Sequence, residues 1–221
     1  MNLGAWQIAW FTVACAAGAT ILMLPPGVLI AWLLARRDFP GRSIVETLVT
    51  LPLVVPPVAT GLLLLMLLSR RGPLGGMLER MGIEIVFTWK AVVIAMAIMG
   101  LPLLVRTARA GFEQVNSRYE RVAATLGAPP LRIFLTISLP LAWPSVLAGA
   151  VLGFARALGE FGATIIVAGS IPGETRTLAV AIYSYAETGQ DAQAIRLILV
   201  SVVIAFIALW SANRLVERRP A

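Results

Sequence analysis

The chain alternates long apolar runs with short polar segments, and these runs give the first prediction. A helix needs about 20 mostly apolar residues to cross a bilayer. We therefore predict that residues 1–221 form one membrane domain of the all-α class. Five runs are long enough for transmembrane helices, at about residues 8–34, 44–68, 85–105, 133–155 and 195–213.

Residues 157–185 do not fit this pattern. The apolar stretch from Phe161 to Ile171 is too short to cross a bilayer. Irregular backbone is tolerated at membrane depth where protein or a water-filled cavity satisfies its polar groups. The segment is therefore predicted either to re-enter the membrane as a half-buried helix or to form a short sixth span.

The composition is too apolar for an ordinary soluble domain. Hydrophobic residues make up 59% of the chain and charged residues 13%, and the mean hydropathy is +0.87. Soluble domains average about 45–50% apolar and about 25% charged residues. A water-soluble fold of this composition would expose large apolar patches and aggregate. We therefore expect a multi-pass membrane protein.

The residue inventory argues against enzymatic activity. The chain has no histidine, which is the commonest general base and metal ligand. Its single cysteine, Cys15, excludes an internal disulfide and a cysteine-rich metal site. Its only lysine, Lys90, is followed by Ala91, so the nucleotide-binding Gly-Lys-Ser/Thr motif is absent. We predict that the chain is not an enzyme and binds no metal and no cofactor.

The distribution of Lys and Arg predicts the orientation of the helices, because cytoplasmic loops carry an excess of these residues. With an external N-terminus, the inner segments are 36–46, 106–132 and 213–221. These segments hold 11 of the 18 basic residues, and the other side holds 7. An external N-terminus and a cytoplasmic C-terminus are therefore predicted. The net charge of +7 fits basic cytoplasmic loops and requires no nucleic-acid partner.

The longest polar segment encodes a short, separate helix. Ser117 followed three residues later by Glu120 is a capping-box pattern that predicts a helix start. Gly127 is a typical residue at a helix C-terminus, and the pair Pro129-Pro130 stops the helix. The pattern predicts a helix over about 118–127, which is either a plain connector or a contact element.

The spacing around this helix resembles the EAA loop of ABC importer permeases. In that motif Glu-Ala-Ala is followed by three residues, Gly, nine residues, Ile, one residue and Leu-Pro. Gly127, Ile137 and Leu139-Pro140 match this spacing. Arg121 stands where the motif has Glu, and Glu120 lies one position earlier. Which acid takes the role of the motif's Glu stays open at this point.

Over nearly its whole length the chain resembles the permeases of molybdate ABC transporters. The resemblance implies a polytopic helical bundle of the type I ABC importer class in the cell inner membrane, with five or six transmembrane helices. Besides the loop, it is carried by three stretches: Leu51–Pro57 with Gly61, Ser69–Gly72, and Phe154–Thr164 followed by Ile171–Thr177.

The resemblance also implies partners. Two permease copies form the pathway, two cytoplasmic ATPase subunits each receive one coupling helix, and an extracytoplasmic binding protein delivers the oxyanion. ATP is then used by the ATPase subunits, and this chain binds no cofactor. The residues implied in ATPase coupling are Tyr119, Glu120, Arg121, Val122, Ala123, Leu126, Gly127 and Ala128.

Residues near the proline cluster and the fourth span are candidates for the pathway or its gate. Arg156 and Glu160 are four positions apart, so they share a helix face. They form either a self-neutralising pair or a gate element, since ionisable groups in membranes are commonly functional. The full candidate set is Thr50, Pro56, Pro57, Thr60, Arg156, Glu160 and Thr164.

Two alternatives remain beside a molybdate permease. One is the same machine for sulfate, thiosulfate or tungstate. The other is a stand-alone secondary carrier, which would be expected to show inverted repeats or acidic residues within the spans. The sequence shows no convincing repeat, and its apolar runs are nearly free of acids.

Overall fold

The computed structural model describes residues 4–217, and the regular elements in that range are all helical. Residues 1–3 and 218–221 lie outside this range, and with them Arg218 and Arg219 of the basic C-terminal segment. In chain order the elements are α1 (Ala5–Arg36), α2 (Arg42–Val54), α3 (Pro57–Leu68), α4 (Gly75–Arg80), α5 (Trp89–Gln114), α6 (Ser117–Thr125), α7 (Pro130–Ile133), a π-helical turn (Phe134–Ser138), α8 (Leu139–Leu158), α9 (Gly162–Ala168), α10 (Leu178–Glu187) and α11 (Asp191–Glu217).

Four helical stretches are long and apolar enough to cross a membrane: α1, α5, the run Pro130–Leu158 and Asp191–Trp210 of α11. The pair α2 and α3 becomes a fifth if its two bent halves count as one span. In segment 157–185, α9 has seven residues and α10 has ten. Neither is long enough to cross a bilayer, so the described part of this segment contains no sixth span.

The predicted span 44–68 is divided into two helices that meet at an angle of 115°. A residue before proline is pushed out of the helical conformation, and here Val55 precedes Pro56, which precedes Pro57. Val55 and Pro56 both have extended backbone, with ψ of 133°. Helix α3 then starts at Pro57, because proline is well tolerated in a first helical turn.

The centre of the bundle is formed by α1, α5 and α8. Helix α1 packs on the other two through side chains such as Met23, which lies next to Gly100 and Gly153, and the backbones of α5 and α8 approach closely at glycines. A Cβ atom added at Gly100 would lie 2.9 Å from the carbonyl oxygen of Gly153. One added at Gly149 would lie 2.9 Å from the carbonyl oxygen of Leu104. Small residues at such contacts are typical of helices packed within membranes. The three helices therefore form a tightly packed unit.

Helix α10 is attached to α1 by a buried hydroxyl. The Oγ1 atom of Thr12 accepts a hydrogen bond of 2.8 Å from the backbone N–H of Leu178 and donates one of 2.8 Å to the carbonyl of Ile8. Apolar side chains that include Ala181 and Leu197 complete this contact and bring α11 against it. Helices α10 and α11 are thereby fixed to α1.

Substitution of Gly149 by Ala tests the contact between α5 and α8. The new methyl group would lie 2.9 Å and 3.2 Å from backbone atoms of Leu104, so the helices must separate. Overpacking costs about 1–3 kcal/mol, and we expect Gly149→Ala to lower the thermal unfolding midpoint in detergent. Gly18→Ala is the matched control, because its methyl group would meet Val93 at an ordinary 3.7 Å. Equal midpoints for the two variants would contradict the close packing.

Candidate functional site

The predicted coupling helix is α6, Ser117–Thr125. The prediction that Ser117 caps it is wrong: the side chain of Asn116 caps it, accepting a hydrogen bond of 2.9 Å from the N–H of Arg118. The C-terminal end of α6 follows the predicted pattern. Gly127 has a φ of +83°, and the N–H groups of Gly127 and Ala128 close the last turn onto the carbonyls of Ala124 and Ala123, which is a Schellman motif.

One face of α6 is apolar and uncovered. The exposed fractions are 57% for Tyr119, 51% for Val122 and 82% for Leu126, and α6 contains no buried residue. Arg121 is also exposed, and its guanidinium donates to the hydroxyl of Ser117 at 2.7 Å. Such a face on a short helix outside the bundle is suited to insertion into an apolar groove.

Glu120 differs from the other predicted coupling residues because it faces the bundle. Its Oε1 atom lies 3.0 Å from Nε of Arg36, at the end of α1, and accepts a hydrogen bond of 2.7 Å from the hydroxyl of Ser138. A second guanidinium nitrogen of Arg36, Nη2, donates to the carbonyl of Val115 at 2.6 Å. Glu120, the acid whose role the sequence left open, is therefore held against the bundle with 19% of its side chain exposed.

Apart from Arg156 and Glu160, the pathway candidates lie in three places. Pro57 and Thr60 lie on α3, and Thr164 lies on α9, the helix that packs against it. The two helices are in close contact, since a Cβ atom added at Gly162 would lie 2.7 Å from Cβ of Pro57. Thr50 is apart from this group: it lies on α2, where its hydroxyl donates to the carbonyl of Glu46 at 2.8 Å. Pro56 lies exposed at the bend, between the two helices.

Arg156 and Glu160 form an ion pair across the break between α8 and α9. Nη1 of Arg156 lies 2.7 Å from Oε2 of Glu160, and the glutamate side chain is only 1% exposed. The other carboxylate oxygen accepts a hydrogen bond of 2.7 Å from the N–H of Ala163, in the first turn of α9. Helix α8 ends at Leu158, so the pair closes a helix break and does not lie along one helix face.

The far end of α9 is held by a backbone hydrogen bond. The N–H of Phe87 donates to the carbonyl of Val167 at 3.1 Å, and Phe87 has a φ of +60°. A positive φ is uncommon for a residue with a side chain, and such backbone strain is concentrated at functional sites. Helix α9 is thus fixed at its start by Glu160 and at its end by the loop before α5.

A cleft of about 650 Å³ lies at the end of the bundle opposite α6. Its lining includes Arg70, which is paired with Glu79 at 3.2 Å and also with Glu84. The lining also contains Arg71 and Glu174, so its acidic residues outnumber its basic residues. The cleft therefore does not have the positive lining expected of an anion site. Among residues 4–217 there is also no group of three or more potential metal ligands.

Comparison with known proteins places the chain in a family. The family described as binding-protein-dependent transport system inner membrane component matches residues 27–219. The chain belongs to this family. It is therefore a multi-pass inner membrane component of a transport system, and its fold is that of ABC importer permeases.

Individual relatives agree with this assignment. The molybdenum transport system permease protein ModB of Escherichia coli (strain K12) is 44% identical over 206 residues, which are 92% of this chain and 90% of that protein. The sulfate transport system permease protein CysT of Salmonella typhimurium is 36% identical over 192 residues, 87% of this chain and 69% of that protein. A solved bacterial ABC transporter involved in the import of the acidic polysaccharide alginate matches with a TM-score of 0.76 at 17% identity, over 100% of this chain and 82% of that chain.

The sequence did not single out several residues that organise the permease. Arg36 and Ser138 hold Glu120, Thr12 holds α10, and Asn116 caps α6. Among these residues only Asn116 had a local sequence signal, because Asn is favoured at the N-cap of a helix. The other contacts join residues far apart in the chain, and a local pattern does not contain them.

Glu160→Gln tests the closure of the break between α8 and α9. The amide can still accept from Ala163, but it leaves the Arg156 guanidinium without its carboxylate. Loss of one partner from such a pair costs about 1–3 kcal/mol, and we expect a lower unfolding midpoint. Glu187→Gln is the control, because Glu187 is exposed and such substitutions change stability by about 0.5 kcal/mol or less. An Arg156→Gln/Glu160→Gln double variant should recover part of the loss.

The result that would contradict this assignment is equal stability of Glu160→Gln and Glu187→Gln. That outcome would mean that the Arg156–Glu160 pair contributes nothing to holding α9 in place.

Proposed function

We propose that this chain is the permease subunit of an ATP-driven molybdate importer, and that it works as a homodimer. The observation that carries the proposal is α6, a capped helix with a free apolar face at one end of a bundle that belongs to a binding-protein-dependent transport family. The higher identity to the molybdenum permease than to the sulfate permease supports molybdate as the substrate.

In this proposal α6 docks into a surface groove of a separate ATPase subunit. Tyr119, Val122 and Leu126 enter the groove, and Ala123 allows close approach. The exposed Arg121 contacts the rim, while Gly127 and Ala128 end the helix so that it moves as one body. ATP is bound and hydrolysed by that partner. This chain contributes no nucleotide site and no cofactor, in keeping with the absence of a Gly-Lys-Ser/Thr motif in its sequence.

The second permease copy covers the exposed side of α2 and α3. Helix α2 has no buried residue, and its large apolar side chains Ile44, Leu48 and Leu51 are all exposed. Helix α3 exposes Val58 and Leu63 in the same way. A self-complementary contact of these bent helices, related by a twofold axis, would enclose a pathway beside α9.

The orientation follows from the position of α6. An ATPase is cytoplasmic, so the end of the bundle that holds Arg36 and α6 faces the cytoplasm. The first helix then starts outside, and the fifth span runs inward, which puts the N-terminus outside and the C-terminus in the cytoplasm. The end with the 650 Å³ cleft faces outward, where a molybdate-binding protein delivers its ligand.

The first experiment measures uptake of radiolabelled molybdate by vesicles that contain the permease, an ATPase subunit and a molybdate-binding protein. We expect uptake that requires ATP and all three proteins. Excess unlabelled molybdate should compete strongly, and excess sulfate or thiosulfate weakly. Tungstate is a close oxyanion analogue and is tested separately. Uptake by this chain alone would contradict the proposal and favour a secondary carrier, and preferential sulfate uptake would favour a sulfate permease.

A second experiment tests the docking role of α6. Leu126→Asp places a charge on the apolar face, and loss of a hot-spot residue in an interface costs about 2 kcal/mol or more. We expect co-purification of the ATPase subunit to fall by about tenfold or more. Met81→Asp is the control, because Met81 is 66% exposed and lies at the opposite end of the bundle. If both variants retain the ATPase equally, α6 is not its docking helix.

A further inference from the structure

We infer that Arg36, Glu120 and Ser138 form a clasp that transmits movement of α6 to α1 and α8. The inference rests on the proposed function, in which α6 is the contact with the ATPase. It assigns Glu120 a role inside the permease and makes Arg36 a positioning residue.

The clasp joins three elements at one carboxylate. Oε1 of Glu120 on α6 lies 3.0 Å from Nε of Arg36, the last residue of α1. The same oxygen accepts the hydroxyl of Ser138 at 2.7 Å. The Nε–H of Arg36 is not aligned with this oxygen for a hydrogen bond, so that contact is an ion pair. The aligned hydrogen bond of the guanidinium runs from Nη2 to the carbonyl of Val115, at 2.6 Å.

The clasp is shielded from water. The side chains of Arg36 and Glu120 are 13% and 19% exposed, and Ser138 is buried. Exposed ion pairs contribute little because water screens them. A shielded pair is different: loss of one partner leaves the other charge without compensation in a poorly solvated place. The clasp therefore resists opening when α6 is pulled.

The other polar side-chain contacts described for α6 are local. Asn116 and Arg121 bond within the helix and its cap, and the hydroxyl of Thr125 donates to the carbonyl of Val122. The apolar face points away from the bundle. Glu120 is thus the side chain through which α6 makes its polar contacts with the rest of the described chain.

The hydrogen bond between Ser138 and Glu120 connects the clasp, through α8, to the pathway candidates. Ser138 ends the π-helical turn, and α8 starts at the next residue. Helix α8 has 20 residues and is about 30 Å long at 1.5 Å per residue. Its far end carries Arg156, whose partner Glu160 holds the start of α9. A displacement of Glu120 is therefore passed along α8 to the break next to α9.

The hydrogen bond from Arg36 connects the clasp to the C-terminal end of α5. Val115 is the C-cap residue of α5, so Arg36 holds the chain at the point where it leaves α5 for α6. Because α1 and α5 are packed together, the bond between Arg36 and Val115 fixes the starting point of α6. Coupling then requires both sets of contacts. Those of Arg36 anchor α6, and that of Ser138 passes the movement of α6 to α8.

The test compares Arg36→Gln, Glu120→Gln and Ser138→Ala with Arg37→Gln in the reconstituted importer. Arg37 is the matched control because it is adjacent to Arg36 and exposed. The readouts are ATP hydrolysed per molybdate imported and hydrogen exchange of the amides of residues 117–126. We expect each clasp variant to raise the ATP cost per molybdate by about fivefold or more, since coupling between sites is typically worth 5–150-fold. Co-purification of the ATPase should be retained.

Hydrogen exchange of α6 should be faster in Arg36→Gln and Glu120→Gln than in Arg37→Gln. Arg36→Lys keeps a positive charge opposite Glu120 and a donor for the carbonyl of Val115, so it should lose less coupling than Arg36→Gln. The inference is overturned if the clasp variants match Arg37→Gln in both readouts. If the wild-type assembly imports no molybdate, the proposed function fails, and the exchange rates of α6 still decide whether the clasp holds this helix.

Discussion

Backbone groups at a helix end have no water to bond with in the apolar part of a membrane, and this constraint organises the permease. Several helix ends are closed by side chains, and some of these side chains come from another element. Glu160 closes the start of α9, Thr12 closes the start of α10, and Arg36 bonds the carbonyl at the end of α5. The guanidinium of Arg42 likewise bonds the carbonyl of Leu34, in the last turn of α1. The breaks are therefore also the places where separate elements are tied together.

This arrangement separates a rigid part of the molecule from parts that can move. In the unit of α1, α5 and α8, the backbones of α5 and α8 approach closely at glycines and α1 packs against them through side chains, which allows little sliding. Helix α9 lies at one end of this unit and is packed against α3 and α5, whereas α6 lies at the other end and is held by the few polar contacts of Glu120. A few contacts of this kind can be exchanged together, whereas a packed core cannot. Alternating access needs a unit that transmits movement between elements that change position, and α8 joins the two ends.

The sequence predicts what depends on local composition. The spans follow from the length of apolar runs, and Gly127 ends α6 because its backbone geometry excludes most side chains. Prolines are less informative: α1 continues through Pro25 and Pro26, and α5 through Pro102, whereas Pro56 and Pro57 break their span. The clasp and the Thr12 contact were missed because they depend on tertiary contacts. Thr12 and Leu178 are 166 positions apart, and no local periodicity relates them.

The charges around the pathway candidates bear on how an oxyanion would be handled. Arg156 is paired with Glu160, and Arg70 with two glutamates, so neither guanidinium offers an uncompensated charge to an anion. A permease has to release its substrate, and a site that binds too strongly slows conduction. Arginines that are paired with glutamates avoid such strong anion binding, and their hydrogen-bond donors still stabilise the fold. In the proposed importer, strong recognition of the oxyanion then belongs to a protein that meets it before the permease, and this chain opens and closes a path of low affinity.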